Sequence, residues 1–125
     1  MPTNLWPDFD IKQAPRSPKA VIEEAGGGLD SKTNGLIRFF PMSTSIKDNQ
    51  VEVVFSLYAR SLSYHFPFLR AKFAVESVYP VTVVADKMTE VVANNESELT
   101  ASLAEIFNAP STVETIQRLM ALSQQ

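Results

Sequence analysis

The sequence predicts an α+β domain: an N-terminal helix, an antiparallel meander of four or five strands, and two C-terminal helices packed on one sheet face. Three observations carry this. A capped helix start stands at Ser17-Pro18, a long segment rich in β-branched and aromatic residues runs from Leu36 to Ala93, and two amphipathic segments follow Asn95. The order helix, sheet, helix, helix suits helices covering one face of an antiparallel sheet. The boundaries read as an extended arm over residues 1–17 and one domain over 18–125.

Pro2, Pro7 and Pro15 bias the arm toward extended backbone. Its apolar residues Trp6, Phe9 and Ile11 alternate with Asp8, Asp10 and Lys12, a pattern for an edge strand or a segment laid across a groove, on its own domain or on a partner. Ser17 can cap an orphan amide, and Pro18 at the first helical position gives up a donor with no partner there. Val21, Ile22, Ala25 and Leu29 then paint one apolar stripe. Gly26, Gly27 and Gly28 interrupt it at about 1 kcal/mol each against alanine. Because Leu29 extends the stripe, the expectation is a helix reaching about Lys32 and closed by Asn34-Gly35, the alternative an end near Ala25.

In the β segment, LIRFFPMSTS is a strand whose Pro41 argues for an edge or a bulge. IKDNQ reads as a turn, VEVVFSLYARS as the second strand and SYHFPFLRAKFAVES as a long third, again with an internal proline. Arg70 and Lys72 alternate there with Leu69, Ala71 and Phe73, which implies one buried and one solvated face. YPVTVVA and MTEVVA complete the meander around a turn at Asp86-Lys87. Asn95 with Glu98 makes a capping pattern for a helix burying Leu99, Leu103, Ile106 and Phe107. After the break at Asn108-Ala109-Pro110, the box Ser111 to Glu114 starts another, carrying Val113, Ile116, Leu119, Met120 and Leu122.

Composition excludes several functions. Eleven basic residues against fourteen acidic ones give a formal charge of -3, no footprint for nucleic acid or an anionic membrane. With no cysteine there is no disulfide, thiolate metal site or Cys nucleophile. MPTNLWPDFDIKQ has neither a basic start nor an unbroken apolar run, so the reading is a cytoplasmic chain without signal peptide or membrane span.

The stretch GGGLDSKTNG comes within one residue of the phosphate-binding pattern G-x-x-x-x-G-K-[ST]. The last glycine should fall at position 31, where Ser31 stands, ahead of Lys32 and Thr33. A working loop of this kind follows a strand and opens a helix; here a helix precedes the glycines and a strand follows, so no phosphate site is read. His65 is the single histidine. It lacks a G-x-S-x-G nucleophile turn and a neighbouring Asp/Glu cluster, so neither a triad nor a metal site is indicated. Glu23-Glu24, Glu96 and Glu98 sit on helical segments as ordinary dipole partners. No catalytic residue and no cofactor is assigned.

Phe39, Phe40, Phe55, Tyr58, Tyr64, Phe66, Phe68, Phe73 and Tyr79 all fall in the predicted sheet. Three short helices cannot cover both faces, so some rings remain to receive a protein partner or a second copy, a homodimer being the simplest case.

The segment YPVTVVADKMTEVVANNESELTASLAEIFNAPSTVETIQRLMALSQ resembles the ending of a family of small uncharacterised bacterial α+β proteins, a resemblance that extends over residues 18 to 123 and departs at Gly26 to Gly28. It implies the fold and carries no activity or functional residue. A sheet followed by two helices also describes a bacterial export chaperone, by analogy of fold alone. The leading functional expectation is a non-enzymatic interaction domain, of accessory, regulatory or immunity type, presenting its sheet face or its arm with Trp6. The alternative is a small-molecule binding domain with a pocket between sheet and helices involving Tyr64, His65, Arg70 and Tyr79.

Overall fold

The computed structural model describes residues 5–10 and 16–124. Helices α1 (Pro18–Gly26) and α2 (Leu29–Lys32) precede strands β1 (Ile37–Lys47), β2 (Gln50–Ala59), β3 (Tyr64–Ala74), β4 (Val81–Ala85) and β5 (Val91–Ala93). Helices α3 (Glu96–Asn108) and α4 (Pro110–Ser123) close the chain. The strands form one antiparallel meander in the order β1-β2-β3-β4-β5. This is the α+β arrangement expected.

Each helix start has a local cause. Ser17 Oγ accepts from the Ala20 amide at 3.1 Å, with Pro18 at the first position. Asn95 Oδ1 accepts from the Glu98 amide at 2.9 Å. Glu98 Oε1 reaches back one residue beyond the expected box, accepting from the Asn94 amide at 2.9 Å. The box at Ser111 is not used: α4 begins at Pro110 with no side-chain cap, and Thr112 Oγ1 donates inward to the Ile106 carbonyl at 2.6 Å.

The glycine run ends the first helix near Ala25, as the alternative had it, and does not lie inside one helix reaching Lys32. α1 ends at Gly26, yet Gly27 and Gly28 keep right-handed backbone and one more turn, α2, carries the path to Lys32. Asn34 and Gly35, with φ of 53° and 78°, then reverse the chain into β1. Thr33 is buried, and its hydroxyl accepts from the Ile37 amide at 3.0 Å while facing the carbonyls of Leu29 at 2.9 Å and Ile37 at 3.0 Å. The side chain that would ligate magnesium in a phosphate loop is therefore a clamp between α2 and β1.

Pro41 lies on the edge strand and beside a bulge at Met42. A second bulge between Phe55 and Ser56 sets Phe68 out of register beside Pro67. β4 pairs with β3 only from Leu69 onward, so Pro67 has a ladder partner on one side alone, where a missing amide is tolerated. One sheet face carries Phe39, Val53, Phe55, Leu57, Leu69, Ala71 and Val83, all buried against Val21, Ile22, Leu99, Leu103, Ile106 and Leu119 of the helices. The helices leave the opposite, outer face of the sheet open.

Candidate interaction surface

The hairpin registers lay out the outer face in rows. Arg38, Tyr58 and His65 face one another across β1, β2 and β3; Phe40, Ser56 and Pro67 form the next row. Beyond the bulges come Ser43, Val54, Arg70 and Val84, then Ser45, Glu52, Lys72, Thr82 and Val92.

The first two rows hold an aromatic cluster. Tyr58 and His65 stack at 4.2 Å between centroids with planes 22° apart. Phe40 tilts against both, at 6.2 Å from Tyr58 and 5.4 Å from His65. The Arg38 guanidinium sits 5.7 Å from the Phe40 centroid, within cation–π range. Ser56 Oγ and His65 Nδ1 are 2.9 Å apart, the direction of donation set by the imidazole tautomer. A serine beside a histidine invites comparison with a nucleophile and its base. Ser56 is fully buried, however, so its hydroxyl orients the imidazole and meets no substrate carbonyl.

The third row borders a cavity of about 330 Å³ on the same face, lined by Val54, Phe68, Val84 and Met88 together with the charged Arg70, Asp86 and Lys87. Basic residues dominate these strands: Arg38, Lys47, Arg70 and Lys72 stand against Glu52 alone, in a chain whose net charge is negative. Glu52 is engaged by Lys72 at 3.5 Å. Arg38 and Arg70 form no ion pair among the described residues.

The residues singled out from the sequence fall on several surfaces. His65 and Arg70 share the outer face, whereas Tyr64 pairs with Ala59 on the helix side, half-exposed at the sheet's end. Tyr79 packs against the helix-side core, its hydroxyl buried without a hydrogen-bond partner among the described residues. Burial raises its pKa, as does the Glu96 carboxylate, with Arg16 opposing. These four residues therefore do not converge on one pocket between sheet and helices. Trp6 and Phe9 are exposed in residues 5–10, which form no helix or strand; Ile11 and Lys12 lie outside the described residues. Sequence reading missed Arg38 and Ser56, and the signal was pairing: once Tyr58 is placed opposite Arg38 and His65, both join its patch.

Among the described residues, no three His, Cys, Asp or Glu side chains are grouped to hold a metal ion. No helix among them is long and apolar enough to cross a membrane. Comparison with known protein families, curated proteins and solved structures returns no match.

Proposed function

We propose that this chain is a non-enzymatic interaction domain, of accessory, regulatory or immunity type, that binds protein through the outer face of its sheet. One observation carries the reading. The face without helices bears a stacked Tyr58–His65 pair with Phe40 tilted against it and Arg38 near Phe40, the aromatic and arginine chemistry that concentrates binding energy in interfaces. The cluster is also preorganised. Ser56 fixes the imidazole and neighbouring strands fix the rings, so little side-chain freedom is lost on association. The buried position of Ser56 favours binding over chemistry at the Ser-His pair.

The test is recovery of a complex from the native host with the wild-type chain and with Tyr58→Asp, alongside melting temperatures. Loss of a copurifying protein or of self-association, with the fold retained, is expected. A complex that survives Tyr58→Asp, or no association of any kind by the wild type, overturns the reading.

A further inference from the structure

The composition of the outer face specifies its occupant. It offers aromatic surface, a cavity of about 330 Å³ with apolar walls and charged residues at its rim, and Arg38 and Arg70, which form no ion pair among the described residues. A segment that matches it has large apolar side chains interleaved with carboxylates. Residues 5–10, Leu-Trp-Pro-Asp-Phe-Asp, have that make-up, with Leu5, Trp6 and Phe9 exposed at 87%, 76% and 74%. Resting on the reading of the outer face as an interaction surface, we propose that this face receives residues 5–10 of a second copy of the chain, exchanged reciprocally in a closed dimer.

Three features of the molecule select this occupant. Charge is complementary: Asp8 and Asp10 meet a face whose first three strands carry four basic residues against one acidic one, Asp86 and Lys87 at the cavity adding one of each sign. Size fits, because a cavity near the lower end of ligand-pocket volumes accepts one aromatic side chain, against Val54, Phe68, Val84 and Met88, with Arg70, Asp86 and Lys87 also lining it. The root of the arm selects a second copy over the chain's own face. Arg16 is held by Glu24 of α1 at 2.8 Å and by Glu96 of α3 at 3.6 Å, so the arm departs from the helical layer, on the side of the sheet opposite the surface it complements. Reciprocal exchange about a two-fold axis buries both arms and both faces and leaves no open end for further growth.

Trp6 is the single tryptophan, so its emission reports the docking directly. In the full-length chain the emission maximum is expected to move to shorter wavelength as protein concentration rises, in step with a monomer-to-dimer change in sedimentation. Two variants then test the pairing. Arg38→Glu/Arg70→Glu makes the face acidic, and Asp8→Arg/Asp10→Arg makes the arm basic; each alone is expected to weaken dimerisation at least about tenfold, as loss of central interface contacts does. Mixed in equal amounts they restore a heterodimer, since every arm then meets a face of opposite charge. Far-UV circular dichroism confirms that each variant is folded, and Arg38→Gln/Arg70→Gln replaces the first variant if it is not. A wild-type chain that stays monomeric, Trp6 emission independent of concentration, a dimer indifferent to both variants, or no recovery on mixing each overturns the exchange. Loss of a different protein complex on Tyr58→Asp would still support the face as an interaction surface, so the two failures are separable.

Discussion

The ring of Phe39 packs directly against Gly26, closing the gap between β1 and the end of α1. A Cβ placed on Gly26 would stand 2.6 Å from Phe39 Cγ and 2.7 Å from Cε2, with Cδ2 nearer still. The ring has nowhere to go, because it stacks on Phe55 at 5.0 Å and meets Phe107 edge-on at 5.4 Å. Gly26 is thus the point where the backbone must be bare for helix and sheet to touch.

Gly26→Ala is accordingly expected to destabilise the fold by about 1–3 kcal/mol through overpacking, an effect that outweighs any gain in helix propensity. Gly28 is the control. Its backbone is right-handed and a Cβ there meets nothing within 4 Å, so Gly28→Ala is expected to be neutral or to stabilise by up to about 1 kcal/mol. Urea unfolding of both variants checks the sign. Equal effects at the two positions would show that the ring contact is not what fixes Gly26.

Thr33→Val keeps the shape of the side chain and removes the hydroxyl that joins α2 to β1. The Ile37 amide then loses its acceptor in a buried place, for an expected loss of about 1–3 kcal/mol. Thr33→Ser retains the hydroxyl and should recover most of that stability. Denaturation midpoints compared across the three chains decide it. A valine variant as stable as the wild type would refute the clamp.

What sequence made legible here was local. Ser17-Pro18 and Asn95 act through neighbours three residues away, and the alternation of Arg70 and Lys72 with Leu69, Ala71 and Phe73 reports burial directly, so these readings match the structure. Pro41 allowed an edge or a bulge and occupies both. What escaped was pairing. Strands take three of the five IKDNQ residues, leaving only Asp48 and Asn49 in the turn, MTEVVA contributes only Val91–Ala93, and the Ser111 box yields to Thr112 turning inward. The outer-face cluster escaped for the same reason. Phe40, Tyr58 and His65 are separated in sequence, and only the hairpin registers, shifted by bulges at Met42 and Phe68, bring them together.

Tyr79 makes stability depend on alkaline pH. Its pKa stands above the ordinary value of 10.0, chiefly through burial and then through Glu96. The fold favours the neutral phenol, so above about pH 10 the unfolded chain releases this proton first. The unfolded state then binds fewer protons than the native one, and the contribution of Tyr79 falls as pH rises toward its folded pKa. Tyr79→Phe removes that dependence, and because the hydroxyl is buried without a partner among the described residues it is expected to be neutral or slightly stabilising near pH 7. Unfolding free energies of both chains across this range should diverge above about pH 10. Curves that stay parallel would mean the phenol is not held neutral by the fold.

The β1–β2 turn is where the register of the outer face is set. Asp48 and Asn49 both adopt left-handed backbone, with φ of 51° and 65°, between the paired residues Lys47 and Gln50. A two-residue hairpin loop of this kind favours glycine at its second position, where the missing Cβ removes the left-handed penalty. The Asn49 carbonyl accepts from the Val75 amide at 2.9 Å, a contact the backbone keeps when the side chain is lost. Asn49→Gly is therefore expected to stabilise the fold by a few tenths to about 1 kcal/mol. Because the same pairing runs down the ladder to Arg38 opposite Tyr58, the substitution should leave the Tyr58–His65 stack unaltered. Thermal unfolding reads the first effect, and nuclear Overhauser contacts between the Tyr58 and His65 rings read the second. A lower melting temperature, or loss of those ring contacts, would show that the asparagine side chain and not the backbone holds the turn.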